Sequence, residues 1–201
     1  WRAREVPERM SLKEVQNIQQ HGLVFHYGFD KEFHPIVYVI MSQNKEKDTE
    51  KNQILKLKAF IYMMQRAMFR AYPTVFELTW IVDVENASFS MSSIKALKDV
   101  FMSLGDYYCE RLTRVLILNP SWTINLIYKF LRPFLPAHVA DKYKLIKGDV
   151  KKTCLQFVDE DQLLERFGGK VKYTFDYDRL LKFEQDFQKE MDSKNIQIIT
   201  K

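Results

Sequence analysis

Apolar residues recur at every second position in some stretches of the chain and at every third or fourth in others, and the two spacings interleave from end to end. The strongest strand pattern spans residues 75–84. There Phe76, Leu78, Trp80 and Val82 make one wholly apolar face while Glu77, Thr79 and Asp83 share the other. Residues 115–118 form an unbroken apolar run, the pattern of a parallel strand buried on both faces. Shorter strands are predicted at 23–26, 36–41 and 143–146, the first two joined by the turn Gly28-Phe29-Asp30-Lys31. Helical spacing is clearest over 52–71, where Ile54, Leu57, Ile61, Met64 and Met68 make a core stripe, and over 179–191 through Leu180, Phe183, Phe187 and Met191. Ser11-Leu12-Lys13-Glu14 reads as a capping box opening a helix to about Gln20, which Gly22 closes. Further helices are predicted at 93–107 (capped by Ser90 or Ser92), 122–131, 137–142 and 159–166, the last stopping at Gly168-Gly169. The mixed-charge run 45–51 is a solvated loop. Strands alternating with helices, without internal repeat or long linker, predict one α/β domain over 1–201.

The stretch 122–135 departs from ordinary amphipathic patterning. Trp122, Ile124, Leu126, Ile127, Phe130, Leu131, Phe134 and Leu135 crowd it, and Asn125, Lys129 and Arg132 leave only a thin polar edge. A helix apolar nearly all round is either buried on two sides or meets lipid, and the pattern alone fits both. Lys129 and Arg132, about one turn apart, suit either role: their stems cover apolar surface and their heads meet phosphates.

With 201 residues, 46% of them hydrophobic, the chain can bury a sizeable core. Its net charge of +5 fits attraction to anionic lipid surfaces or to nucleic acid, and equally an ordinary solvated surface. Cys109 and Cys154 form no CxxC pair, so neither a disulfide framework nor a zinc site is expected and the thiols read as reduced, cytosolic ones. No apolar run reaches spanning length and the N-terminus lacks a charged-then-apolar signal, so membrane contact is expected to be peripheral. A start at Trp1-Arg2 without methionine reads as a fragment or processed product.

The sequence holds no GxGxxG, no GxxxxGK followed by Ser or Thr, and no GxSxG. His21, His26, His34 and His138 lack the i, i+4 spacing of a metal pair. The carboxylates of Asp83-Val84-Glu85 read as turn formers, and Cys109 has no evident histidine partner. No enzyme activity, cofactor or metal is expected.

Five short motifs in fixed order resemble the CRAL-TRIO domain family. Tyr108-Cys109-Glu110-Arg111-Leu112 is similar to the family's Tyr-Pro-Glu-Arg-Leu. It is followed by the apolar strand, by Asn119-Pro120 for Asn-x-Pro, and by Arg132-Pro133-Phe134-Leu135 for Lys-Pro-Phe-Leu. Upstream, Asp30-Lys31 with His34-Pro35-Ile36 looks like Asp-x-x-Gly-Arg-Pro-Val; downstream, Phe167-Gly168-Gly169 matches Tyr-Gly-Gly. Trp1-Arg2 resembles the end of the preceding helical segment. The likeness covers about residues 25–169. The chain departs from the pattern at Phe33-His34, which replace Gly-Arg, at Cys109, which replaces proline, and in the one-place shift of Asn119.

The resemblance implies an open, mainly parallel mixed sheet flanked by helices, with residues 1–22 ending a helical segment and 170–201 forming a C-terminal helical extension. It implies an apolar pocket for one amphipathic lipid, walled by Phe76, Leu78, Trp80 and Val82 and closed by a lid helix at 122–131. Trp122, Ile124, Ile127, Phe130, Leu131, Lys129 and Arg132 are the expected lid and membrane contacts. Glu110 and Lys142 fall where phosphatidylinositol-binding members contact the headgroup, a carboxylate on ring hydroxyls and an ammonium on phosphate. Leu78 and Trp80 stand where other members place hydroxyl residues for phosphocholine, which argues against phosphatidylcholine. The implied partners are a phospholipid or other hydrophobic ligand and the surface of anionic membranes, not nucleic acid, for a cytoplasmic, peripherally bound carrier. The alternative is a regulatory module that tethers a larger protein to membranes or partners without transferring lipid.

Overall fold

The computed structural model describes residues 10–193 apart from 48, 72, 88–93, 95–97, 99–101 and 103–108. Helix α1 (Leu12–Gln19) begins at the expected capping box, in which the Ser11 amide donates to Glu14 Oε1 at 3.0 Å. Strands β1 (Val24–Phe29) and β2 (Pro35–Ile40) pair antiparallel. Strands β3 (Leu78–Asp83), β4 (Leu112–Leu118) and β5 (Tyr143–Ile146) then add in parallel, giving the order β1-β2-β3-β4-β5. Helix α2 (Glu50–Phe69), capped by Thr49, links β2 to β3. Helix α3 (Trp122–Leu131), a 3-10 turn at Arg132–Phe134 and α4 (Ala137–Ala140) link β4 to β5. Helices α5 (Val150–Phe157) and α6 (Tyr177–Ser193) follow. The expected class, an open and mainly parallel sheet flanked by helices, is the observed one.

The register divides the strands cleanly into two faces. On the front, Val37–Trp80–Val115–Tyr143 and Val39–Val82–Ile117–Leu145 run in rows across the sheet. Helices α1, α2, α4 and α6 pack there together with Ile124 of α3. On the back, Ile36, Tyr38, Ile40, Ile81, Leu116 and Leu118 meet α5, Leu163, Leu164 and Phe167. With α2 and Ile124 of α3 on the front, the back is left to the C-terminal third of the chain.

Three expectations need correction. The strand expected over 75–84 starts only at Leu78, so Phe76 lies outside it, 61% exposed beneath the Arg111 guanidinium. The turn expected at 28–31 forms instead around Asp30, whose Oδ1 accepts the Glu32 and His34 amides at 2.9 Å, and Gly28 belongs to β1 with φ +66°. The helix expected at 159–166 gives way to turns and a 3-10 turn at Glu165–Phe167, because Leu163, Leu164 and Phe167 are needed in the back core and Leu164 bridges Val171. Gly168 closes that turn at φ +93°, and a Cβ on Gly169 would meet the Leu163 carbonyl at 1.9 Å, so both glycines are required. Most of the helix expected at 93–107 lies outside the described residues, as do Trp1-Arg2.

Candidate functional site

Helix α3 begins where Ser121 caps it, its Oγ accepting the Ile124 amide at 3.3 Å. Its sequence is apolar nearly all round, yet the fold covers only one side. Ile124, Ile127 and Leu131 face inward, Leu131 at 1% exposure. Trp122 at 75% and Phe130 at 58% face solvent, with Leu126 between them and the Phe134 ring edge-on to Phe130 at 5.9 Å. Pro120, Trp122, Leu126, Lys129 and Lys147 line a shallow hollow of about 340 Å³ on that outer side. Arg132 also lies outside, 3.6 Å from the Asp141 carboxylate. The residues expected to act as one lid therefore divide: Ile124, Ile127 and Leu131 form its underside, and Trp122, Phe130, Lys129 and Arg132 its exposed back.

Of the four wall residues expected on β3, Leu78 and Trp80 are buried on the front face and Val82 is half-buried there, while Phe76 is excluded. Trp80 packs edge-on against Phe60 at 6.2 Å, and its buried Nε1–H has no acceptor among the described residues. Burial, then the neighbouring Tyr128 hydroxyl, raises the Tyr143 hydroxyl above its ordinary value and keeps it protonated.

Both headgroup candidates lie at the N-terminal end of the parallel strands. Glu110 is exposed in the 3-10 turn Cys109–Arg111 that feeds β4. Lys142 precedes β5; its backbone carbonyl accepts the Val115 amide, and its Nζ donates to the Leu112 carbonyl, two residues beyond Glu110. Lys142 Nζ also lies 3.5 Å from Glu77 Oε1, and Glu77 Oε2 lies 3.9 Å from His34 Nε2. His34 Nδ1 reaches Asp30 at 3.1 Å. Asp30, fully buried in its side chain, accepts the Thr79 hydroxyl at 2.6 Å and the Arg114 guanidinium at 2.6 Å. Arg114 spans to Glu32, also at 2.6 Å. Sequence reasoning named Lys142 as a site residue and Asp30 and His34 only as parts of a turn motif, and gave no site role to Glu77, Thr79 or Arg114, because the register, not sequence proximity, brings them to Asp30 and Lys142.

Asp30, Glu32 and His34 place possible metal ligands within 4.8 Å of one another, but the Arg114 guanidinium already supplies the counter-charge there. At the strands' other end Asp83 accepts from Arg166 at 2.6 Å and from Asn119 Nδ2 at 3.1 Å, so its role is to tie down the loop after β4. Burial pushes the Cys154 thiol up to about 12, which leaves it un-ionised at neutral pH and a poor nucleophile. A cleft of about 670 Å³ between β1 and α6, lined by Tyr27, Arg70, Arg179 and Phe183 among others, had no sequence signal, since its walls lie some 150 residues apart in the chain.

Among the described residues no helix is long and apolar enough to cross a membrane. The chain is 24% identical over 180 residues to a CRAL-TRIO domain-containing protein of Schizosaccharomyces pombe, covering 89% of this chain and 17% of that protein. It is 23% identical to Patellin-6 of Arabidopsis thaliana (87% of this chain, 45% of that protein). It is also 23% identical to the phosphatidylinositol/phosphatidylcholine transfer protein SFH12 of the same plant (84% and 34%). The chain thus spans less than half the length of these curated relatives. In three dimensions it matches the crystal structure of Sfh5 with a TM-score of 0.70 at 19% identity, over 87% of this chain and 63% of that one, which is agreement in fold. Residues 19–169 match the CRAL/TRIO domain, and the chain belongs to that family of lipid-binding domains.

Proposed function

We propose that this domain holds one amphipathic lipid, a phosphatidylinositol-type phospholipid, between the front face of β3–β5 and the underside of α3, and transfers or presents it at membranes. The observation that carries the reading is the two-sided helix. A helix whose inner side covers the sheet, and whose outer side exposes Trp122, Leu126 and Phe130 beside Lys129 and Lys147, is built to exchange water for a bilayer. Exposing three or four large apolar side chains to water costs on the order of 5–10 kcal/mol, and a bilayer that receives them cancels most of that cost. Opening is therefore coupled to docking. Each acyl chain is held in a membrane by about 0.8 kcal/mol per CH₂, so the site must stay closed and dry between membranes.

Family membership and the transfer activity named for the SFH12 relative support lipid binding. The headgroup assignment rests on Glu110 and Lys142, which the fold brings to one end of the β4–β5 pair. Native mass spectrometry of the purified chain, followed by lipid extraction, should show one bound phospholipid. In a vesicle-to-vesicle transfer assay Glu110→Ala and Lys142→Ala should each lower phosphatidylinositol pickup about tenfold, the value of a charge-assisted hydrogen bond, with an unchanged urea midpoint for Glu110→Ala and a lower one for Lys142→Ala, which also loses the bonds to the Leu112 carbonyl and Glu77. Normal pickup by both variants would end the headgroup assignment. A lipid-free protein that still sediments with anionic liposomes would favour the tethering module instead.

A further inference from the structure

Helix α6 and the edge strand β1 enclose the cleft of about 670 Å³, and its walls carry positive charge that the protein leaves unanswered. His26 comes from β1, Arg70 from the end of α2, and Arg179 and Lys182 from α6. The Phe183 ring joins two of them: the Arg70 guanidinium lies over it at 4.2 Å, and the His26 ring stands edge-on to it at 5.5 Å. Among the described residues no carboxylate pairs with Arg70, Arg179 or Lys182, and the His26 imidazole has no hydrogen-bond partner. Asp176 is committed elsewhere, its Oδ1 accepting the Asp178 and Arg179 amides at 2.9 and 3.3 Å. Asp186 and Glu190 lie about two and three turns beyond Arg179 on α6, toward the cleft's other end.

Strand β1 is deformed at this spot. From His26 to Phe29 it takes three steps where β2, from Val37 to Pro35, takes two, and Gly28 stands inside that bulge at φ +66°. Bulges re-aim side chains beside functional sites. Burial, then the charges of Arg70 and Arg179, push His26 down to about 4. Burial, then the Arg179 charge, lowers Arg70 as well, with Asp186 opposing. Like charges gathered in one cleft are a standing cost that an anion between them removes.

We propose that this cleft binds an organic phosphate monoester, its phosphate between the Arg70 and Arg179 guanidiniums and its apolar body along Tyr27 and Tyr173. Such a phosphate carries about −1.5 to −2 at pH 7, enough to answer both arginines, and a guanidinium grips its oxygens two at a time. The cleft has room for a small organic molecule, and the Tyr27–Tyr173 pair, ring centroids 4.7 Å apart, gives it an aromatic wall. The site lies at the β1 edge of the sheet, across the strand order from Glu110 and Lys142 beside β4 and β5. It is independent of the lipid-binding reading, and either can fail without the other.

The test titrates the whole chain with phenyl phosphate, with inorganic phosphate, and with phosphatidylcholine vesicles carrying phosphatidic acid, whose headgroup is a phosphate monoester. Calorimetry should show phenyl phosphate bound about three- to tenfold more tightly than inorganic phosphate, the worth of an aromatic contact. Arg70→Gln and Arg179→Gln should each weaken phenyl phosphate about tenfold or more, the worth of a charge-assisted hydrogen bond. Both arginines are exposed, so neither variant should lower the urea midpoint. Lys13→Gln, the same loss of charge on α1, should change nothing. By NMR, His26 should titrate at higher pH with phenyl phosphate bound, because the dianion opposes the two arginines. Retention on phosphatidic acid vesicles alone, lost in the same two variants, would assign the phosphate to a headgroup; binding of free phenyl phosphate assigns it to a soluble molecule. Binding of neither overturns the proposal. So do undiminished affinity in both arginine variants, an equal loss in Lys13→Gln, or a His26 titration that does not move. Inorganic phosphate bound as tightly as phenyl phosphate would overturn the organic body.

Discussion

The two faces of the sheet are closed in different ways. The back is sealed by short, fully committed pieces: α5, the turn at Glu165–Phe167, and an aromatic stack running Phe167–Tyr38–Phe25–Tyr173 with ring centroids 5.1–5.9 Å apart. Two of its carboxylates are paired, Asp30 with Arg114 and Asp83 with Arg166, while the buried Tyr38 hydroxyl has no partner among the described residues. On the front, α3 packs through Ile124 and carries an outer side nearly as apolar as its inner one, and the buried Trp80 Nε1–H has no acceptor among the described residues. A helix that only sealed the sheet would have no use for so apolar an outer side. The contrast between the faces is the exposed apolar side of α3, which suits the exchange role proposed above.

Breaking the sealed half should cost the most. Asp30→Asn removes the charge that the Arg114 guanidinium, its side chain 12% exposed, faces at 2.6 Å. Stripping one partner from a buried pair costs roughly 3–5 kcal/mol, and urea denaturation should show a drop of that size. A loss below about 1 kcal/mol would mean that Glu32 alone satisfies Arg114 and that the back is less tightly keyed than its distances suggest.

Next comes the underside of α3. Leu131→Ala empties a 1%-exposed position and should destabilise by about 2–4 kcal/mol. Bound phospholipid filling the space under the helix should recover part of that loss, whereas added lipid should leave the Asp30→Asn deficit as large as before. Equal rescue of both variants would erase the distinction between the two faces.

A pH effect separates the faces more gently. His26, on β1, is pushed down to about 4 by burial and then by the charges of Arg70 and Arg179. The folded chain therefore binds this proton less readily than the unfolded chain, whose histidine titrates near 6.5. Stability is undiminished above that value and falls as the pH drops through the window between 6.5 and 4, by about 2 kcal/mol for a half-buried ring. His26→Leu, which keeps the contact with Phe183, should flatten the urea midpoint across that window.

How legible the molecule was in its sequence follows the same division. Alternation over 78–83, the apolar run through Leu118 and the limits of α3 were readable, because each pattern is local and the pleat or helical turn repeats it. Helix α5 was not read: eight residues with one buried side chain, Cys154, carry too little periodicity, and Asp149 as its cap was the only strong mark. The helix expected at 159–166 failed because tertiary demand for Leu163 and Leu164 outweighed spacing. Motif order singled out Glu110, Lys142 and the α3 residues as candidates. Trp80's unmet N–H left no mark there, since an unpaired atom is defined only by its neighbours. Phe76 was misplaced because alternation runs on past the last residue that pairs with β4.

The smallest change in stability should come from the outer side of α3, and there the comparison is sharpest. Trp122 is 75% exposed and Phe130 58%, so alanine at either site removes little that folding buries, and unfolding free energy should move by less than about 0.5 kcal/mol. The same side chains entering an acyl layer would each bury apolar area worth roughly 1.5–3 kcal/mol, so each alanine should weaken liposome sedimentation about tenfold or more. Lys129→Ala and Lys147→Ala should lose less, about 1 kcal/mol apiece, and only on anionic vesicles at low salt. If the aromatic variants bound vesicles as well as the unaltered chain did, the exposed side of α3 would be ordinary surface. Transfer would then need another way to open, because nothing would offset the cost of exposing the buried Ile124, Ile127 and Leu131.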